Sequence, residues 1–202
     1  MRKILFIISI IVILFPFKGL SQEYSNENGF LHYKNIDTTS MSKSELKNTI
    51  EKWCATNLNN SNYSVKLSNE DNVIVKTGFY IIKRGAKQFV EFTLDVAFKE
   101  NKYKIEAYDF SQIMSYSGYK NAVRNPEYFT KDVYKKESLE MIESVSFGQK
   151  AAKKRLENPK SFDKLYNNQL NDLTDTWNKI TSKLDAINIS IKNSLQKTDS
   201  SW

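Results

Sequence analysis

Few side chains in this sequence could do nucleophilic or metal chemistry, because the chain has one histidine and one cysteine. His32 lies in the segment Phe30-Leu31-His32-Tyr33, whose composition predicts a strand. A structural histidine is therefore favoured over a metal ligand or a general base. Cys54 has no second cysteine with which to form a disulfide, and we expect it to be a small buried apolar residue.

Carboxylates are the remaining candidates for general acid and base catalysis. Glu91, Asp95 and Glu106 alternate outward on predicted strands, so a pair of them could serve a hydrolase. A second set of acids recurs among lysines, as on a solvated helix face: Asp132, Glu137, Glu140 and Glu143.

The remaining patterns for binding a cofactor or a metal are also missing from the sequence. No repeated Asp, Asn and Gly spacing suggests calcium, and the six glycines form neither a phosphate-binding loop nor a dinucleotide fingerprint. The sequence therefore predicts no catalytic residue, no cofactor or cofactor-binding residue and no metal ligand. It favours a non-enzymatic protein.

The first residues have the pattern of an export signal. Two positive charges, Arg2 and Lys3, precede an apolar stretch over residues 4–15. This stretch is too short to cross a bilayer as a helix, and Pro16 ends it. The pattern therefore favours a signal peptide over a membrane anchor.

The expected cleavage site follows the apolar stretch. Gly19 and Ser21 stand at its small-residue positions, so we expect a signal peptide over residues 1–21, cleaved after about Ser21. Since Cys54 is the only cysteine, the protein has no cysteine near the site to carry a lipid and is not expected to be a lipoprotein. The product is predicted to be periplasmic or secreted, with membrane contact only through the transient signal peptide.

The charge of the chain argues against nucleic-acid binding. The formal net charge is +7, and part of the excess comes from Arg2, Lys3 and Lys18 in the expected signal peptide. Binding to nucleic acid normally needs clustered Lys and Arg that neutralise several phosphates. No nucleic-acid partner is predicted.

Residues 22–113 have the pattern of an α+β domain. Ser42 and Glu45 have the spacing of a capping box, which predicts a helix start, and apolar residues then recur at helical spacing as far as Leu58. Alternating segments follow, and the clearest places five apolar residues on one face: Val90, Phe92, Leu94, Val96 and Phe98. The order β-α-β-β-β-β predicts an antiparallel sheet of about five strands with one packed helix.

The C-terminal part is predicted to be helical. We expect a linker and weakly helical charged segment over residues 114–160, a long amphipathic, coiled-coil-like helix over 161–196 and a tail over 197–202. Apolar residues of the long helix repeat with heptad spacing: Tyr166, Leu170, Leu173, Trp177, Ile180, Leu184, Ile187 and Ile191. This seam predicts either assembly, with a second copy or an envelope protein partner, or packing within the chain, on the helix's own domain or on the helical segment 131–156.

The helix-and-strand unit also resembles a known family. The resemblance rests on Ser44-Glu45-Leu46 at the helix start, Lys52-Trp53 at its end, the strand segment 73–78, the strand 90–98 and Lys102-Tyr103-Lys104-Ile105. Residues 42–113 resemble a secreted Bacteroidota family of unknown function whose domain is described as having a TBP-like fold. The resemblance implies an α+β domain and an envelope location, and it transfers no catalytic residue. A TBP-like fold does not imply DNA binding, because function depends on the site that a fold carries.

A last candidate surface is aromatic. Five rings cluster around the end of the last predicted strand, where they either line a binding surface or pack in the core: Tyr103, Tyr108, Phe110, Tyr116 and Tyr119. Together, these patterns favour a binding or assembly module of the cell envelope. The alternatives are a carboxylate-dependent hydrolase and a binder of a small apolar ligand between sheet and helix.

Overall fold

A computed structural model describes residues 23–25, 29–58, 64–113 and 120–197. The predicted signal peptide, Tyr116, Tyr119 and nearly all of the predicted tail lie outside these residues. The strands and helices are, in chain order, β1 Glu23–Ser25, β2 His32–Thr38, α1 Lys43–Asn57, β3 Ser64–Ser68, β4 Asn72–Lys83, β5 Ala86–Lys99, β6 Lys102–Ile113, β7 Lys120–Ala122, a 3-10 helix Pro126–Tyr128, α2 Lys131–Ser144, α3 Gln149–Glu157 and α4 Pro159–Lys197.

Within the described residues the strands form one seven-stranded antiparallel sheet. Its order is β1-β2-β6-β5-β4-β3, and β7 pairs with the part of β6 that β2 leaves unpaired. The predicted β-α-β-β-β-β order of an α+β fold is confirmed, and β1 and β7 extend the sheet beyond it. The predicted helix start is present as well, since Ser42 N donates to Glu45 Oε2 at 2.8 Å and Ser42 Oγ accepts from Glu45 N at 3.4 Å.

One face of the sheet is the core. The five apolar residues predicted to share a face on β5 are all at most 3% exposed: Val90, Phe92, Leu94, Val96 and Phe98. The helices α1 and α4 cover this face, and α1 contributes Leu46, Ile50 and Trp53. Because both helices pack side by side on the sheet, the core has two helices where the sequence predicted one.

A β-bulge in β6 changes which residues reach the core. Tyr103, Ile105 and Ala107 point inward at odd positions, and Phe110 points inward at an even one. The register with β5 shifts between these two sets, where Asp109 has a φ of 57°. Phe110 thereby stacks on the Phe92 ring at a centroid distance of 5.2 Å.

The second half of α4 packs on its own domain. Ile180, Leu184 and Ile191 are at most 1% exposed within the core, and Trp177 and Ile187 pack against it. The predicted seam is therefore occupied within the chain along this half.

Polar contacts also fix α4 on the sheet and on α1. Trp53 Nε1 donates to Ser190 Oγ at 2.9 Å, and Asn35 Nδ2 donates to Asn188 Oδ1 at 3.1 Å. The Asn35–Asn188 pair is buried, so each side chain depends on the other for this hydrogen bond.

The first half of α4 contacts the 3-10 helix region and the pair α2 and α3. Tyr166 stacks on Phe129 at a centroid distance of 5.9 Å and donates to the Phe129 carbonyl at 3.0 Å. Leu170 and Leu173 are half-buried.

The weakly helical stretch forms two helices, which a break at residues 145–148 separates. Within the described residues, no helix has the length and apolar character needed to span a membrane.

Candidate ligand-binding face

The face of the sheet opposite the core is open. Its residues are half-buried or exposed along β2, β4, β5 and β6, so no described helix covers them. This open face carries the outward carboxylates that the sequence singled out.

Glu91 is held between two lysines on this face. Its Oε1 atom lies 3.0 Å from Lys76 Nζ and 2.7 Å from Lys120 Nζ. Burial raises the pKa of Glu91, but the hydrogen bonds from the two lysines outweigh burial and hold the pKa below its ordinary value. Glu91 is therefore an ionised partner of the lysines, which is unsuited to a proton donor at neutral pH.

Asp95 and Glu106 are direct neighbours across β5 and β6. Burial raises the pKa of Asp95, and the Glu106 carboxylate adds to this, while a hydrogen bond from Asn72 and the charge of Lys104 oppose it. Glu106 is paired with Lys104, whose Nζ lies 2.6 Å from Oε2. The structure therefore brings two of the three predicted carboxylates together.

A catalytic site for a hydrolase would also need a pocket around these acids. The 640 Å³ cleft at the β5–β6 turn is lined by other residues, among them Lys99, Lys102 and Lys104. The 450 Å³ cleft on the same sheet is likewise lined by residues other than Glu91, Asp95 and Glu106. The acids stand on an open sheet surface and not in either of these clefts, which could hold a substrate.

The 450 Å³ cleft lies where β2 and β7 meet on β6, and we call it the notch. Its lining includes Phe30, His32, Tyr108, Asp109 and Ser111. Phe30 is 43% exposed, and Asp109 is exposed at the bulge. The notch thus combines aromatic rings with groups that can donate or accept hydrogen bonds, as small binding sites generally do.

His32 and Tyr108 form one wall of the notch. Their ring centroids are 6.1 Å apart in an edge-on arrangement. His32 Nε2 is buried without a hydrogen-bond partner among the described residues, and it lies 3.9 Å from Glu106 Oε1. Burial raises the pKa of Tyr108, and the carboxylates of Asp95 and Asp109 add to this. The Tyr108 phenol is therefore a neutral group that can donate a hydrogen bond.

A second aromatic patch lies on the open face of β4 and β5. Tyr80 is 50% exposed, its ring contacts Phe89 at 5.1 Å, and Lys87 Nζ lies 4.3 Å from its centroid. Gly78 makes room for this arrangement, because a Cβ there would lie 2.4 Å from the Phe89 ring and 2.3 Å from the Val90 carbonyl oxygen. Gly78 is thus a point of close approach between the strand and the Phe89 ring.

The predicted aromatic cluster divides between the core and the notch. Tyr103 and Phe110 are buried in the core, and Tyr108 lies on the open face. The notch residues Phe30 and Asp109 were not predicted, because the notch joins distant segments of the chain and depends on the bulge. The amino-acid composition around Phe30 or around Asp109 does not indicate that these residues line a cleft.

The space between sheet and helices is filled by side chains, including Ile50, Val75, Leu94 and Leu184. Two polar atoms in this core, Tyr33 Oη and Thr77 Oγ1, have no hydrogen-bond partner in the described part of the chain. The described residues hold no group of three or more His, Cys, Asp and Glu side chains placed to bind a metal ion.

Comparison with known proteins identifies the sheet domain. Residues 32–112 match the model of a family described as "Domain of unknown function (DUF4468) with TBP-like fold". No curated protein has a significant match to the chain.

Two solved structures are similar to the chain. One is a TBP-like protein from Parabacteroides distasonis, with a TM-score of 0.51 and 12% identity over 86% of this chain and 97% of the other. The second is a DUF4468 family protein from Bacteroides ovatus, with a TM-score of 0.46 and 12% identity over 82% of this chain and 92% of the other. At this identity, the likeness to the first structure concerns the fold alone. Residues 32–112 of the chain are therefore similar to the DUF4468 family, and the chain has a TBP-like fold.

Proposed function

We propose that this chain is an exported, non-enzymatic binding module of the cell envelope, and that the notch holds a peptide, glycan or protein partner. The observation that supports this best is the notch itself. Phe30 and Tyr108 provide apolar ring surface beside the exposed carboxylate of Asp109. Rings next to polar groups recognise ligands that have both apolar and hydrogen-bonding faces.

Peptide and glycan arrays test the binding role of the notch. Tyr108→Ala should abolish any binding that the unchanged protein shows, because it removes the ring and the phenol that form one wall. The matched control is Tyr80→Ala, which removes an exposed tyrosine from the same open face at the second aromatic patch. Equal loss in both variants, or binding that survives Tyr108→Ala, would contradict a role for the notch.

Export is the second part of this proposal. It is supported by the charged start, the short apolar stretch over residues 4–15 and the small residues Gly19 and Ser21. Mass spectrometry of the protein recovered from the envelope or medium should show a chain that begins at about Gln22. A product that retains residues 1–21 and stays in the cytoplasm would contradict it.

Assembly through α4 is proposed only for its first half. The positions from Ile180 onward are used within the chain, whereas Leu165 is 39% exposed and Leu170 and Leu173 are half-buried. Light scattering at two protein concentrations tests this. An oligomer that becomes a monomer on Leu165→Glu would support assembly, and a monomer throughout would exclude it.

The hydrolase alternative has one supporting observation, which is the raised pKa of Asp95 beside Glu106. Activity on a panel of ester, amide and glycoside substrates that disappears in Asp95→Asn would favour it over the binding role.

A further inference from the structure

The last turn of α2 and the loop between α2 and α3 carry the most exposed apolar side chains of the described residues. Among the large apolar residues, Phe147 is 96% exposed and Met141 is 70% exposed, and Val145 nearby is 46% exposed. Single exposed apolar residues are ordinary, but three within seven positions make a patch. We call Met141 and residues 145–148 the tip.

The tip is exposed to solvent, since residues 143–148 are all exposed. Helix α2, which leads to it, has no buried residue. A Cβ placed on Gly148 would meet nothing within 4 Å, so open space surrounds this position. The turn is nonetheless defined, since Gln149 Nε2 donates to the Val145 carbonyl at 2.8 Å and Gly148 adopts a φ of 79°. The apolar residues therefore stand on a formed hairpin of two helices.

Positive charge lies directly behind the apolar tip. Helix α3 begins at the tip without a side-chain cap and without an acid in its first turn. It then carries Lys150, Lys153, Lys154 and Arg155, against one acid, Glu157. On the facing helix, Glu143 lies 3.2 Å from Lys153 and neutralises that lysine. The uncapped N–H groups and the remaining cations of α3 favour an anion such as a phosphate.

We propose that the tip inserts into an anionic lipid surface. The order of the groups along the hairpin supports this occupant, because apolar side chains come first and cations follow within about 10 Å along α3. A bilayer has the same order of layers, with hydrocarbon below a layer of phosphates. This membrane contact is independent of the notch, and it adds to the transient one expected from residues 4–15.

The test must report the position of residue 147 itself. The full chain also contains the apolar stretch at residues 4–15, which is expected to bind lipid independently of the tip. The probe is a vesicle of equal parts phosphatidylglycerol and phosphatidylcholine with brominated acyl chains, which quench tryptophan fluorescence. Phe147→Trp is compared with Tyr128→Trp, since Tyr128 is also an exposed aromatic residue, at 56%, and lies in the 3-10 helix. The emission of the unsubstituted protein is subtracted from both.

The expected result is a blue shift and quenching for Phe147→Trp and neither for Tyr128→Trp. Lys150→Gln and Lys154→Gln are made in the Phe147→Trp background. Each should raise the lipid concentration that gives half of the fluorescence response about fivefold, because each removes one cation near the anionic surface. Both positions are exposed, so folding is not at risk.

Three results would overturn the proposal. The first is an unquenched residue 147 in a chain that sediments with the vesicles. The second is equal quenching by vesicles of phosphatidylcholine alone, which would remove the anionic requirement. The third is a blue shift that needs no vesicles and grows with protein concentration, because a second copy would then cover the tip.

Discussion

Two isoleucines of α4 allow a test of whether the helix is part of its own domain's core. Ile191 is fully buried and Ile189 is 57% exposed, although they lie two positions apart in the same helix. Replacing each isoleucine by alanine removes the same side-chain atoms and changes the intrinsic helix propensity by the same amount. Any difference between the variants therefore measures burial alone.

The expected magnitude follows from cavity formation. Replacing a buried isoleucine by alanine costs about 2–5 kcal/mol, and the complete burial of Ile191 predicts a value of roughly 3.5 kcal/mol. For a chain of this size, that loss lowers the melting temperature by roughly 7–14 °C. Ile189→Ala should change the free energy of unfolding by no more than about 0.5 kcal/mol.

Urea unfolding followed by circular dichroism measures both values, at two protein concentrations. If α4 packs within one chain, the difference between the variants does not depend on concentration. If the seam instead paired with a second chain, a hundredfold dilution would lower the apparent stability by roughly 2–3 kcal/mol. Equal stability of Ile191→Ala and Ile189→Ala would refute the internal packing described above. A midpoint that moves with dilution while the difference between the variants persists would instead report assembly through the first half of α4.

Three further changes test particular contacts. Asn188→Ala should cost about 1–3 kcal/mol in urea unfolding, because it leaves the buried Asn35 amide without its partner, and a smaller loss in the Asn35→Leu, Asn188→Leu double variant would confirm this cause. Gly78→Ala should cost about 1–3 kcal/mol, since its Cβ would lie 2.3 Å from the Val90 carbonyl oxygen, and a neutral effect on the melting temperature would show that the strand can shift. The folded-state pKa of Asp95 is raised, so its burial lowers stability as pH rises above the ordinary aspartate value. Asp95→Asn should therefore be more stable than the unchanged protein at pH 7 and show no such gain at pH 3, and an equal gain at both values would contradict the titration.

The order of the helix and strands along the chain and the core face of the sheet could be predicted because their signals are local. Alternation along residues 90–98 marks one buried face whatever the rest of the chain does, and the spacing of Ser42 and Glu45 specifies a helix start through contacts three residues apart. These local features led to the prediction of an α+β fold, which the structure confirms.

The seam of α4 shows where a pattern has two physical solutions. Apolar residues at heptad spacing bury one stripe of a helix, and either a second helix or a sheet can cover that stripe. Ile180 and Leu184 lie on the sheet's core face, among residues from β4 and β5. Periodicity alone carries no information about which surface covers a helix.

The bulge and the notch could not be predicted for a different reason. Asp109 adopts a positive φ, which an aspartate tolerates but which its presence in a sequence does not predict. The register of β6 against β5 shifts at this residue, and the shift turns Phe110 toward the core. The notch also needs Phe30 beside β6, a contact between segments about 80 residues apart. Such contacts follow from the tertiary fold and not from local composition.

The position of α4 has a consequence for how the chain is made. Because Ile191 and Leu195 complete the core, and Trp53 bonds to Ser190, one wall of the domain is supplied by residues that are synthesised after the whole sheet. A growing chain therefore exposes the apolar face of its sheet until α4 has been made. A factor that recognises unfolded polypeptide can engage the chain during this interval, before α4 closes over the sheet.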